Sequence, residues 1–369
     1  MANKKTLFIV GAGASTEANL PDGYKLKQEI ADLLNIRFNG YTQESGDYDV
    51  CEAIRIHCRE KGENAINPYF HAARHICEAM PQAISIDNFI DTHSNNNKIE
   101  LCGKLAIVRA ILEAEKQSLL YFDTSNTHNR LNFQALEETW YTNFTKLLTE
   151  NCRKENLSDR LKSIAFVVFN YDRCLEHFIY NSLQNYYGIK SEEASPLVNQ
   201  IEIYHPYGVV GYLPWQLDHL KDPSVIFSAP LDVIDGTFRK DYSVLFGTQL
   251  NADRLLKVSK QIKTFTESID KESSNILAMR SCVANADNII FLGFAYHRLN
   301  MKLLMAGADD INQSKVYHCF GTAMGISDAD CEGIRSELTG FYKSSNLSIH
   351  NDLTCYQLFK EHWRSISLV

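Results

Sequence analysis

Paired cysteines are missing from this sequence: its ten cysteines, at positions 51, 58, 77, 102, 152, 174, 282, 319, 331 and 355, include no Cys-x-x-Cys unit. Short-spaced pairs let two thiolates converge on one tetrahedral ion, so no structural zinc ribbon is expected. Unpatterned thiols in a chain of 369 residues read instead as buried, reduced side chains, because secreted disulfide scaffolds are shorter and denser in cysteine. No run approaches the roughly 18 apolar residues that a membrane span needs. Leu7-Phe8-Ile9-Val10 follows Lys4 and Lys5 in the manner of a secretory leader, but it is too short and runs straight into Gly11 instead of a cleavage site. A cytoplasmic protein without a membrane partner is expected. Positive charge is not in excess either: 37 Lys and Arg face 45 Asp and Glu, a formal net charge of -8. That balance offers no general attraction for a polyphosphate, and no direct nucleic-acid partner is expected. His71 and His75 lie four apart, yet Ala72 stands where the glutamate of an HExxH helix belongs, so no metal site is expected there.

What is present is enough apolar material, 45% of the chain, to bury a large core. Thr6–Val10 is a short continuous apolar run ended by glycine, the pattern of a strand buried on both faces. Gly23–Leu34 follows with Leu26, Ile30, Leu33 and Leu34 on one helical side. Similar buried runs recur at 164–169, 201–204, Asn288–Leu292 and 315–320. Between the first two runs the character is helical, with apolar residues at helical spacing over 101–121 and 133–151 and polar loops at 92–98 and 124–130. Ser85-Ile86-Asp87-Asn88-Phe89-Ile90-Asp91 reads as a helix start capped by Ser85 or Asp87. The predicted fold class is α/β: a Rossmann-like parallel sheet flanked by helices, formed by residues 1–47 and 160–369, with a large helical insertion over 48–159.

Five motifs sit at predicted strand ends, where ligands gather in parallel sheets. Gly11-Ala12-Gly13-Ala14-Ser15 can turn tightly and offer N–H groups to a pyrophosphate. Thr16 occupies the place of a third glycine and no acidic strand end follows about 20 residues on, which argues against a dehydrogenase. Leu20-Pro21-Asp22 comes shortly after. Phe169-Asn170-Tyr171-Asp172 ends the second run and starts a helix expected over 172–187, which Asn170 or Asp172 could cap. His205-Pro206-Tyr207-Gly208 ends the third, and an imidazole suits proton transfer near neutrality. Phe291-Leu292-Gly293-Phe294 and His318-Cys319-Phe320-Gly321 end the remaining two.

Taken in order, these motifs resemble those of the sirtuins, in the form carried by SIR2-like proteins of bacterial anti-phage defence systems. The resemblance covers the sheet-forming half of the chain. It implies that NAD is the substrate, bound through Gly11, Ala12, Gly13, Ala14, Ser15, Pro21, Asp22, Gly293, Phe294 and Gly321. It further implies that Asn170 places an attacking water, His205 activates it, and Asp172 acts on the nicotinamide side as positive charge develops on the ribose. The expected activity is hydrolysis of the nicotinamide–ribose bond. Protein deacylation requires a zinc module that the missing cysteine pairs argue against; a non-catalytic NAD or ADP-ribose sensor is the other alternative. The resemblance also implies homo-oligomerisation and a defence partner such as a HerA-type ATPase.

Overall fold

Apolar runs flanked on both sides by helices satisfy their backbone polar groups through parallel ladders, and the computed structural model of the chain has this arrangement. It describes residues 4–126, 128–217, 241–270, 274–305, 317–341 and 346–368. Among the described residues there are eight strands: β1 (Thr6–Val10), β2 (Arg37–Asn39), β3 (Thr42–Ser45), β4 (Ile164–Val168), β5 (Glu202–Tyr204), β6 (Asn288–Leu292), β7 (His318–Thr322) and β8 (Asn346–His350). Six of them form one sheet in the order β5-β4-β1-β6-β7-β8, and every pair in it is parallel. The chain builds outward from β1 in one direction, returns, and continues from β6 in the other. This is the order of a doubly wound, Rossmann-like sheet, in which ligands are expected beyond the carboxyl ends of β1 and β6, where the strand order reverses.

Every residue of β1, β4 and β6 is buried, because alternate side chains feed two different cores. Leu7 and Ile9 pack with the helices Gly23–Leu34, Tyr48–Lys61, Asn67–Ala79 and Asn97–Gln117. Phe8 and Val10 pack with Trp140–Thr149, Cys174–Tyr187 and Cys355–Glu361. Phe8 stacks on Phe166 at 5.0 Å and meets Phe144 edge-on at 5.5 Å; burying each such ring contributes roughly 1.5–3 kcal/mol. The helices between β1 and β4 therefore cover both faces of the sheet.

Several boundaries differ from expectation. The long helix starts at Asn97, capped by the Asn96 side chain, which accepts from the N–H groups of Lys98 and Ile99. The next runs over Trp140–Thr149 rather than 133–151, and the helix after β4 begins at Cys174 rather than 172. The strand expected at 315–320 begins at His318, and its first two positions lie outside the described residues. Two features escaped the sequence reading. The hairpin β2–β3 turns on Gly40-Tyr41, with Gly40 at φ +60°. Edge strand β8 is only partly buried and lacks a continuous apolar run. No helix among the described residues is long and apolar enough to cross a membrane.

Candidate functional site

The turns after β1 and β6 meet backbone to backbone. Gly11 N–H donates to the Leu292 carbonyl at 2.9 Å and Gly13 N–H to the Gly293 carbonyl at 3.0 Å. Gly293 has φ +54°, and a Cβ there would lie 1.9 Å from the Ala14 nitrogen. Only glycine fits such an approach. Behind the turn, Trp140 Nε1 donates to the Ala14 carbonyl at 2.9 Å, and Glu17 accepts from the N–H groups of Trp140 (2.6 Å) and Tyr356 (2.8 Å). The glycine loop is thus clamped between a helix that precedes β4 and one near the end of the chain.

In front of it lies a cavity of about 1050 Å³ at the carboxyl edge of the sheet. Of the sequence-predicted residues, Gly11, Ala12, Gly13, Asp22, Asn170, Gly293 and Phe294 line it. Ala14, Ser15, Pro21 and Gly321 do not. Gly321 lies under Tyr296, whose hydroxyl sits where its Cβ would be, and the neighbouring Thr322 reaches the cavity instead, its Oγ1 accepting from Gly293 N–H at 2.8 Å. Asp22 caps the helix Gly23–Leu34 by accepting from Lys25 N–H at 2.8 Å.

Ser15 stands one layer back and joins two of the predicted catalytic residues. Asn170 Nδ2 donates to Ser15 Oγ at 3.0 Å, and Ser15 Oγ donates to Asp172 Oδ2 at 3.0 Å. The other Asp172 oxygen accepts from Cys174 N–H at 3.1 Å. Burial raises the Asp172 carboxyl above its usual range, against the lowering effect of these hydrogen bonds. Asp172 is therefore a bracket that fixes Ser15 and, through it, the Asn170 amide; its own oxygens are spent.

His205 is near Asn170 but off the cavity. Its Nε2 meets Glu176 Oε1 at 2.7 Å and its Nδ1 faces the Asn170 carbonyl at 3.4 Å. Both neighbours are acceptors, an arrangement that favours the protonated imidazole, in which both ring nitrogens donate. Burial alone would lower its pKa; the Glu176 charge and hydrogen bond, with the Asn170 carbonyl, outweigh that and raise it above the ordinary value. A histidine with a raised pKa contributes pairing energy fully present below its unfolded pKa and lost as pH rises through the folded one. Glu176→Gln is expected to lower the His205 titration midpoint, since burial is then opposed only by the Asn170 carbonyl and the Asp172 charge; a histidine-resolved NMR titration reads the shift, and an unchanged midpoint refutes it.

Other cavity residues carried no signal in the sequence. Asp87 and Asn88, in the first turn of the helix Ile86–Thr92, face it together with Tyr207, Asn300, Lys27 and Arg298. Ser85 caps that helix by accepting from Asn88 N–H at 3.0 Å, so Asp87 is released from capping. Burial pushes the Asp87 carboxyl up to about 6. Tyr207 Oη donates to Asn300 Oδ1 at 2.6 Å. Among the described residues no group of three or more His, Cys, Asp and Glu side chains is placed to hold a metal ion.

Fold and site together define a class: an α/β protein with a Rossmann-like sheet and a large cavity at the point where its strand order reverses. No protein-family model matches the chain, and comparison with curated proteins gives no match.

Proposed function

We propose that the chain binds NAD in this cavity and hydrolyses its nicotinamide–ribose bond, releasing nicotinamide and ADP-ribose. The observation that carries the reading is a cavity, large enough for a dinucleotide, whose wall joins both glycine turns to the buried Asn170 amide. The pyrophosphate lies over Gly11–Gly13, with Lys27 and Arg298 as the nearby cations. Asn170, oriented by Ser15 and Asp172, places a water against the ribose as nicotinamide leaves with the electron pair of the broken bond.

The proton from that water needs a base inside the cavity. His205 is turned to Glu176 and the Asn170 carbonyl and does not line the cavity, so it serves only if that pair opens. Asp87 faces the cavity and titrates near 6, in the range that suits a base at neutral pH. Nicotinamide release is expected to rise with pH through about 6 and level off above it. Asp87→Asn should lose that limb and at least ~10²-fold of turnover. A carboxyl whose folded pKa is raised loses folding stability as pH climbs through that interval, so the same variant is expected to melt no lower than the parent above pH about 6. Wild-type turnover and pH profile in the folded variant would remove Asp87 from the chemistry. Saturable NAD binding with no nicotinamide released would replace hydrolysis by sensing, and release that requires an acyl-lysine peptide would replace it by deacylation.

Unrestrained hydrolysis of NAD would harm a cell, so the reading includes an off state relieved by self-association or by a defence partner such as a HerA-type ATPase. His205, turned away from the cavity towards Glu176, supports it.

A further inference from the structure

At the far edge of the sheet two histidines that the site above does not use meet ring to ring. His350 closes β8, and His362 stands between the helices Cys355–Glu361 and Trp363–Ile366. Their Nε2 atoms face each other at 2.8 Å. Two N–H groups cannot meet head-on at that distance, so at least one Nε2 presents a lone pair to the other ring. Both rings are anchored by the fold. The His350 carbonyl accepts from Ala323 N–H at 2.6 Å, His362 N–H donates to the Leu358 carbonyl at 3.0 Å, and the His362 carbonyl accepts from Ser365 N–H at 2.9 Å. The His362 ring lies against Phe320, centroids 4.8 Å apart. Both residues are only half-buried, so solvent reaches them.

We propose that His350 and His362 are the protein ligands of one divalent transition-metal ion of tetragonal preference, copper(II) or nickel(II), with water in its remaining positions. The spacing selects the geometry. Metal–imidazole bonds of about 2.0–2.1 Å at a right angle put two ligating nitrogens roughly 2.9 Å apart, whereas the tetrahedral angle of zinc puts them roughly 3.3 Å apart. The 2.8 Å between the two Nε2 atoms matches the right angle, the cis edge of a tetragonal ion. Two acids favour a cation here. Asp352 Oδ1 lies 3.9 Å from His350 Nδ1, the ring nitrogen that a carboxylate steadies when the other one ligates, and the charge of Glu361 acts on His362. With no third His, Cys, Asp or Glu placed to join them among the described residues, the site is an open one that exchanges its ion with solvent. The segment it ties together also carries Leu353, Thr354 and Cys355, which line the larger cavity. A bound ion therefore braces one wall of that cavity without touching Asn170 or Asp87.

Isothermal titration of the full chain with nickel chloride alone, in the absence of NAD, tests the site. Saturable binding is expected, with zinc chloride binding no more tightly because the rings would have to part. His362→Gln removes one ligand and is expected to weaken nickel by at least ~10-fold. His71 and His75 are both exposed and four apart on the helix Asn67–Ala79, so His71→Gln is the control and should change nothing. In a histidine-resolved NMR titration of the parent chain, which needs no variant to fold, nickel is expected to perturb the His350 and His362 ring signals before any other. No saturation by nickel up to on the order of 1 mM, a parental affinity in folded His362→Gln, a loss of binding in His71→Gln, first perturbation of other histidines, or tighter binding of zinc overturns the proposal. Because these readouts need neither NAD nor turnover, a chain that fails to hydrolyse NAD leaves the metal site standing.

Discussion

Asn170→Ala is expected to cut nicotinamide release from NAD by on the order of 10²–10³-fold while leaving the protein folded. The amide is 7% exposed and its Nδ2 donates to Ser15 Oγ at 3.0 Å. Truncation leaves one hydroxyl lone pair without a donor, a cost of about 1 kcal/mol, since Ser15 still donates to Asp172. It also deletes the group that orients water at the ribose, and an orienting contact present only in the transition state lowers kcat without much change in KM. Steady-state assay of released nicotinamide, with a melting curve of the same preparation, separates the two effects. A folded variant with parental turnover would end the role given to Asn170. One that binds NAD far more weakly, with kcat kept, would make Asn170 a binding residue only.

Glu115→Ala should be the most damaging single change to stability. Glu115 and Arg173 are 0% and 1% exposed. The carboxylate accepts from Arg173 N–H, Nε and Nη2 and from Gly247 N–H. Arg173 also donates to the Val244 and Leu245 carbonyls. Removing the carboxylate leaves a buried guanidinium uncompensated, which costs about 3–5 kcal/mol, a fall of on the order of 10 °C in the melting midpoint for a chain of this size. The double change Glu115→Leu with Arg173→Leu is expected to recover a large part of the loss, because it removes both desolvated charges together. Equal melting of the single and double variants would show that geometry, not charge, holds this junction. Arg173 sits between Asp172 and Cys174, so the single variant should also loosen the Ser15 bracket and weaken NAD binding.

Strand ends were legible because each signal is local. A short apolar run closing on glycine marks β1 and β6, and Phe169-Asn170 and His205 stand directly beyond β4 and β5. Asp87 was not legible as a cavity residue. Its sequence context announces a helix start, which is correct and capped by Ser85, but a cap signal contains nothing about the loop that the helix will face. Nor could the Glu176–His205 pair be read, since the two lie 29 residues apart on different elements and no spacing rule joins them. Strand β8 was missed for a physical reason as well: as the outer strand it buries only part of its surface and needs no continuous apolar run.

The sequence by itself determined that this is an α/β chain with buried strands ending in glycine, asparagine and histidine, because apolar periodicity and capping act over a few residues. Only the tertiary structure decided the strand order, the cavity beyond the ends of β1 and β6, and the assignment of Asn170 to one cavity and His205 to another. Those outcomes depend on packing between segments more than 100 residues apart, such as the contact of Gly13 with Gly293, and no local pattern records which distant partner a residue will meet.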